Sequence, residues 1–134
     1  MKTNHSILIL SALTIAVVAC KEKEIPRADS PFIYVHSPIR NQTIDDNTEI
    51  KVEAYIEPKK SPIISYHVWL IDNEKKEIYN KKTDCKDKAK VQIDVSFKYD
   101  IKTTSELLLH IDAVLKDGTN IREEIPFKLV DSKK

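Results

Sequence analysis

Glycine is nearly absent from this sequence, which has only Gly118 in 134 residues. Phosphate-binding loops need several closely spaced glycines, so loops of that kind are excluded. Long apolar runs are absent too. The longest, Ile7–Ala19, is broken only by Ser11 and Thr14 and has 13 residues, whereas a membrane-spanning helix needs about 20. After this run, no window of about 11 residues shows the apolar stripe of a helix.

A marked excess of charge is also missing, because 22 Lys and Arg side chains stand against 21 Asp and Glu. Nucleic-acid binding depends on a concentrated basic surface, so we expect no nucleic-acid partner. Catalytic motifs are missing as well. No serine stands in a Gly-x-Ser-x-Gly setting, and no carboxylates are paired as an acid–base couple. We therefore expect no enzymatic activity and no cofactor.

The first 20 residues have the features of an export signal. Lys2 precedes the apolar run, and the run ends at Ala19, a small residue directly before Cys20. Highly charged residues, Lys21–Glu24, follow at once. A short apolar core between a positive start and a small-residue cleavage site is typical of a secretory signal peptide.

Residues Val17, Val18, Ala19 and Cys20 resemble the lipobox of bacterial lipoproteins, with valine where leucine is commoner. The resemblance implies cleavage before Cys20, a diacylglycerol on its sulfur and an acyl group such as palmitate on its amine. Two or more acyl chains hold a protein on a membrane, whereas a single acyl chain binds only reversibly. Lys21 after the cysteine implies the outer membrane, facing either the periplasm or the outside. An ordinary secretory signal and a transmembrane anchor are the alternatives.

Cleavage at this point leaves 115 residues, enough for one domain. We assign residues 1–19 to the signal peptide, 20–31 to the lipidated cysteine and a flexible tether, 32–131 to the folded domain and 132–134 to a tail. Cys85 is then the sole remaining thiol, so no internal disulfide can form. Nearby lysines could lower its pKa and make it reactive, but we interpret it as an incidental loop cysteine.

From Phe32 onward, apolar and polar residues alternate in short runs separated by turn residues, which predicts β-strands. The predicted strands are 32–36, 50–57, 63–71, 77–80, 91–99, 106–116 and 120–130. Polar loops are expected at 41–48 and 81–90, and a hairpin at Asp117-Gly118. Pro126 lacks a backbone donor, which predicts an edge strand or a bulge. Without βαβ spacing, this pattern predicts an all-β fold, a seven-stranded antiparallel Ig-like β-sandwich.

Two motifs resemble the Ig-like domains of bacterial surface lipoproteins: the Ile33-x-Val35-x-Ser37-Pro38 opening and the late hairpin that begins at Ala113. The order of lipobox, charged spacer and one Ig-like domain resembles small lipoproteins of the Bacteroidota. The paired cysteines that join the two sheets of antibody domains are absent. The resemblance implies a fold and leaves the function open.

Strand alternation predicts which side chains face the core. The inward set is Ile64, Tyr66, Val68 and Leu70 in the third strand, and Leu107, Leu109, Ile111, Ala113 and Leu115 in the sixth. In Ig-like sandwiches these two strands are neighbours in one sheet, so their outward side chains should meet on one face. We name this face the Trp69 patch, and it consists of His67, Trp69, Ile71, Leu108, His110 and Asp112.

An outward tryptophan beside aliphatic side chains indicates a binding surface. We interpret the Trp69 patch as a docking surface for a protein, a second copy of the chain or a sugar. The alternatives are a reversed alternation, with Trp69 in the core, and a partly covered Trp69 without a partner. Two histidines and Asp112 could hold a metal, but no His-x-His spacing supports one and we expect none. His36 is expected to be solvated.

The sequence therefore predicts a lipid-anchored, non-catalytic Ig-like binding or scaffolding module of the bacterial outer membrane. Its expected partners are the membrane, through Cys20, and a protein or a glycan. The alternative is a carbohydrate or small-ligand binder that serves a transporter. A flat apolar face around Trp69 would favour a protein partner, and a groove would favour a sugar.

Overall fold

A computed structural model describes residues 29–132, and all secondary-structure elements in this range are β-strands. The strands are β1 (Phe32–Ser37), β2 (Thr43–Asp45), β3 (Ile50–Glu57), β4 (Ile63–Asp72), β5 (Glu77–Lys88), β6 (Val91–Phe97), β7 (Ser105–Leu115) and β8 (Asn120–Val130). The predicted signal peptide, Cys20 and most of the tether lie outside the described residues. Within residues 29–132, no helix has the length and apolar character needed to cross a membrane.

The strands form two sheets, with the orders β1-β3-β6 and β2-β8-β7-β4-β5. Buried side chains from both sheets belong to one hydrophobic core. The predicted all-β sandwich is confirmed, although it has eight strands rather than seven. In the larger sheet β4 lies beside β7, and β7 lies beside β8. This is the neighbour order that an Ig-like sandwich predicts for these strands.

The additional strand, β2, corrects the prediction of a loop at residues 41–48. Its three residues pair in parallel with Lys128–Val130 of β8, so the larger sheet is mixed rather than purely antiparallel. Ile44 is buried in the core, whereas Thr43 and Asp45 on either side are exposed. One buried residue in a run of three gives no recognisable alternation. The strand is therefore recognised only from its pairing with β8.

The prediction of a loop at residues 81–90 is also wrong, because β5 continues to Lys88. This strand pairs with β4, with Thr83 opposite Tyr66 and Asn80 opposite Trp69. It lies at one edge of the larger sheet. Lysines on an edge strand discourage pairing with other chains, which explains how a strand can have the lysine-rich composition of a loop.

Core side chains follow the predicted alternation in β7 and β3. The buried residues of β7 include Leu107, Leu109, Ile111, Ala113 and Leu115, and those of β3 are Ile50, Val52, Ala54 and Ile56. The start of β4 differs from its prediction, since Ile63 is fully buried and Ile64 is 37% exposed. A bulge between Ile63 and Ser65 shifts the alternation by one residue. After it, Val68 and Leu70 are buried as predicted.

Pro126 lies in β8 just before β2 begins to cover that strand. Its carbonyl oxygen accepts a hydrogen bond from the Asn41 backbone nitrogen at 2.7 Å, so it points away from the partner strand β7. The missing N–H points the same way, and no β7–β8 hydrogen bond is lost. Since β2 pairs only with Lys128–Val130, the preceding part of β8 is the edge that the proline predicts.

Gly118 closes the hairpin between β7 and β8, as the Asp117-Gly118 pair predicts. Its φ is 90°, in the left-handed region that other residues rarely adopt. The Gly118 backbone nitrogen donates to the Leu115 carbonyl at 2.9 Å. The turn thereby helps to set the register in which β8 lies against β7.

Candidate functional site

The Trp69 patch lies where β4 and β7 pair within the larger sheet. The register places Trp69 opposite His110, His67 opposite Asp112 and Ile71 opposite Leu108. Directly opposed residues of an antiparallel pair point to the same side of the sheet. The six residues selected by strand alternation therefore share the outward face, and the alternative that puts Trp69 in the core is wrong.

Three rings stack along this face. The His110 and Trp69 rings are parallel within 1°, with 4.6 Å between their centroids. The His67 ring stacks on Trp69 at 4.3 Å with an angle of 28°. The Arg122 guanidinium carbon lies 5.5 Å from the Trp69 ring centroid, within the range of a cation–π interaction. These contacts leave Trp69 half-buried although it faces outward.

Arg122 on β8 connects the stack to the carboxylate of the patch. It donates two hydrogen bonds to Asp112, from Nε at 2.7 Å and from a terminal nitrogen at 2.9 Å. Asp112 thereby raises the pKa of the Arg122 guanidinium. A two-point contact of this kind fixes the orientation of both side chains, and it holds the guanidinium beside Trp69.

The two histidines of the patch have different surroundings. His110 is only 8% exposed, and its Nδ1 lies 3.2 Å from Oε1 of Glu124. This nitrogen therefore has a nearby carboxylate but no hydrogen-bond partner among the described residues. His67 is half-buried, and its Nε2 forms a hydrogen bond with Oδ1 of Asn80.

Metal binding is the other chemistry that these side chains suggest. Across residues 29–132, no group of three or more His, Cys, Asp or Glu side chains could hold a metal ion. At the Trp69 patch, Asn80 engages His67 and Arg122 engages Asp112. The polar atoms of the patch are thus largely used within the chain.

The Trp69 patch is an open face with an apolar centre. Ile71, Leu108 and the neighbouring Val114 are half-buried on it. We describe five cavities on the surface of residues 29–132, and none is lined by a residue of the patch.

Several side chains around the patch were missed by sequence reasoning. Arg122 and Glu124 point outward on β8, where they alternate with the inward Ile121, Glu123 and Ile125. Alternation along β8, a neighbour of β7 in an Ig-like sandwich, is the sequence signal that places Arg122 and Glu124 on the same face as Trp69. Asn80 carried no such signal, since its position depends on the register of β5 against β4.

Cys85 is a strand residue rather than the loop residue that the sequence predicts. It lies in β5, partly buried against the core. Burial raises the pKa of its thiol, and the charge of Lys88 only partly opposes this effect. The suggestion of a thiol activated by lysines is therefore not supported, because a raised pKa reduces the thiolate fraction.

No family model matches the sequence, and no curated protein matches it. The fold is similar to a superoxide reductase (neelaredoxin) from Ignicoccus hospitalis, at TM-score 0.55 and 10% identity over 80% of this chain and 86% of that one. CopC from Methylosinus trichosporium OB3b has a TM-score of 0.47 at 10% identity, over 76% of this chain and 97% of that one. The fibronectin(III)-like modules of Clostridium thermocellum CbhA have a TM-score of 0.43 at 14% identity, over 76% of this chain and 46% of that one. The similarity to the superoxide reductase shows a shared fold and nothing about function.

Proposed function

We propose that this protein is a lipid-anchored binding or scaffold module of the bacterial outer membrane that docks a protein through the Trp69 patch. The observation that carries the proposal is the outward stack of His67, Trp69 and His110 on paired strands of the larger sheet. The lipid anchor rests on the lipobox-like residues 17–20.

The composition of the patch is that of a protein interface. Tryptophan and arginine are enriched among the residues that dominate binding energy, and Trp69 lies beside Arg122. Half-buried Ile71 and Leu108 supply apolar area. Polar side chains at the margin, such as Glu124, complete the pattern of an apolar centre with a polar rim.

The patch is also ordered before any partner arrives. The parallel His110 and Trp69 rings and the two-point contact between Arg122 and Asp112 restrict the side-chain rotamers. Binding to such a surface loses less side-chain entropy than binding to mobile side chains. A prearranged face on paired strands is suited to recognition by rigid docking.

Photo-cross-linking in intact cells tests the docking face. The full chain carries the photoreactive residue benzoylphenylalanine in place of Leu108 or, in a second variant, Ile71. The matched control places it at Ile39, which is 66% exposed and lies outside the patch. We expect one discrete protein adduct from both patch positions and none from Ile39. Equal labelling from all three positions would refute a docking role for the patch.

The anchor is tested by metabolic labelling with palmitate. The wild-type chain should incorporate the label and sediment with the outer membrane, and Cys20→Ser should lose both properties. A labelled, membrane-bound Cys20→Ser variant would contradict the anchor. Protease treatment of intact cells then shows which side of the membrane the domain faces.

A further inference from the structure

The outer face of the smaller sheet carries an exposed aromatic cluster. Phe32 is 38% exposed and Tyr34 is 51% exposed, while Ile33 between them is buried in the core. Tyr55 of β3 lies directly opposite Tyr34. Its ring centroid is 5.5 Å from that of Tyr34 and 5.8 Å from that of Phe32. Exposed aromatic clusters that are not part of the core indicate a binding function.

A shallow groove of about 430 Å³ lies beside these rings. We name it the Tyr34 groove, and its outward side chains are Tyr34, His36, Glu53, Tyr55, Gln92 and Asp94. The register of the smaller sheet brings them together, since Tyr55 lies opposite Gln92 and Glu53 opposite Asp94. Its volume lies in the range of ligand-binding sites.

The polar side chains of the groove remain available for a ligand. Glu53 and Asp94 are like charges in directly opposed positions, an arrangement that destabilises a sheet. His36 Nε2 lies 4.0 Å from the Glu53 carboxylate, and both side chains are well exposed. Across residues 29–132, we find no ion pair or side-chain hydrogen bond of Asp94. Both carboxylates can therefore accept hydrogen bonds from a bound molecule.

The charges around the aromatic cluster decide which class of ligand fits. The Lys90 ammonium lies 5.0 Å from the Tyr55 ring centroid, and the Lys59 ammonium lies 5.5 Å from that of Phe32. These cations disfavour a positively charged ligand, and the carboxylates of Glu53 and Asp94 disfavour an anion. A neutral molecule rich in hydroxyl groups avoids both penalties, because each hydroxyl can donate to a carboxylate or accept from an ammonium.

We propose that the Tyr34 groove binds a neutral saccharide. The exposed Tyr34 ring offers an apolar platform for the C–H face of a sugar ring. The carboxylates of Glu53 and Asp94 accept hydrogen bonds from its hydroxyls, and the Gln92 amide can both donate and accept. This site lies on the opposite sheet from the Trp69 patch and does not depend on the docking proposal.

Isothermal titration calorimetry of the detergent-solubilised full chain tests this site. The probes are neutral hexasaccharides of glucose, mannose, xylose and N-acetylglucosamine in their common linkages. We expect at least one to bind, and Tyr34→Ala to weaken that binding about tenfold. Tyr34→Phe keeps the ring and should retain most of the affinity. Asp94→Ala should weaken binding as well, because it removes hydrogen-bond acceptors.

Matched controls separate the groove from the rest of the surface. Ile39→Ala and Glu106→Ala change an exposed apolar and an exposed acidic residue outside the groove, and they should bind like wild type. Trp69→Ala should also retain binding. Circular dichroism establishes that each variant is folded.

Three results would overturn the saccharide assignment. The first is a panel in which no hexasaccharide binds, and the second is binding that Tyr34→Ala leaves unchanged. The third comes from titration with spermidine as a cationic probe. Binding of spermidine that Tyr34→Ala abolishes, without binding of any sugar, would assign the groove to ammonium ligands instead.

Discussion

The two outer faces of this sandwich use aromatic side chains in opposite ways. On the larger sheet, Trp69 stacks with two imidazoles, lies beside a guanidinium and is half-buried. On the smaller sheet, Tyr34 meets one neighbouring ring and is 51% exposed. An outward aromatic residue can therefore be covered by its own chain or remain free for a ligand. The residue type alone does not distinguish the two outcomes.

The difference follows from the position of each strand in its sheet. Trp69 is on β4, which has β5 on one side and β7 on the other, so it has a directly opposed residue on each side, Asn80 and His110. Tyr34 is on β1, an edge strand whose only neighbour in the sheet is β3. A side chain on an edge strand loses half of the cross-strand contacts that a central one makes, and it stays exposed for that reason.

Replacing the central aromatic of each face should produce the largest contrast in stability. We expect Trp69→Ala to lower the free energy of unfolding by about 2 kcal/mol, because it removes a half-buried ring and its stacking contacts. Tyr34→Ala should change it by only about 0.5 kcal/mol. Urea unfolding followed by circular dichroism measures both. Equal losses would show that the two faces do not differ in this way.

The free energy of unfolding should depend on pH through Asp46, a residue at the end of the sandwich that belongs to neither outer face. Asp46 is 5% exposed, and its carboxylate accepts hydrogen bonds from the backbone nitrogens of Ser132 at 2.9 Å and Ile101 at 3.3 Å. Hydrogen bonding to the side chain of Ser132, then to its backbone, and to a smaller extent to the Ile101 backbone lowers the pKa of Asp46 from 3.8 to about 2. The ionised form is therefore favoured in the folded state.

Because the folded pKa lies below the unfolded one, the stabilisation is fully present above about pH 4 and is lost as the pH falls toward 2. Asp46→Asn should lower the urea midpoint at pH 5 and show a smaller further fall at pH 2.5. Asp45→Asn, at the exposed neighbour, serves as the control and should titrate like wild type. An Asp46→Asn variant with the wild-type pH profile would contradict this assignment.

The polar anchor of the Trp69 patch should contribute a smaller, salt-dependent effect. A double-mutant cycle with Arg122→Ala and Asp112→Ala measures the coupling between the two side chains. We expect it to exceed the coupling of Lys116 and Asp87, whose single contact is 3.0 Å long, because two parallel hydrogen bonds hold Arg122. Both couplings should decline at about 1 M NaCl. A larger value for the Lys116 pair would show that the two-point geometry adds nothing.

The smallest expected effect is a slower alkylation of Cys85, which lies on the inner side of the larger sheet. Burial raises the pKa of Cys85, so alkylation by iodoacetamide at pH 7.5 should be slower in the folded protein than in urea. The measurement is mass spectrometry of the full chain over time. Folded-state alkylation as fast as in urea would mean that the strand does not shield the thiol.

Local alternation was enough to predict much of this molecule. In β3 and β7, every second residue is apolar, and those residues form the core. The neighbour order expected for an Ig-like sandwich then brought Trp69 and His110 to one face, where the register pairs them directly. Arg122, which lies over Trp69, and Asn80, which bonds to His67, come from β8 and β5, so the surroundings of Trp69 depended on two further pairings.

Other features had no local signal at all. Ile63 and Ile64 are equally apolar, and only the bulge decides which of them is buried. The Tyr34 groove joins β1, β3 and β6, so its residues are adjacent only after two strand registers are set. The sequence by itself determined seven of the eight strands, most of their inward faces and the lipobox-like start, because alternation and short motifs lie within a few neighbouring residues. The edge positions, the bulge and the two outer surfaces were decided by the tertiary structure, because they depend on pairing between residues far apart in the chain.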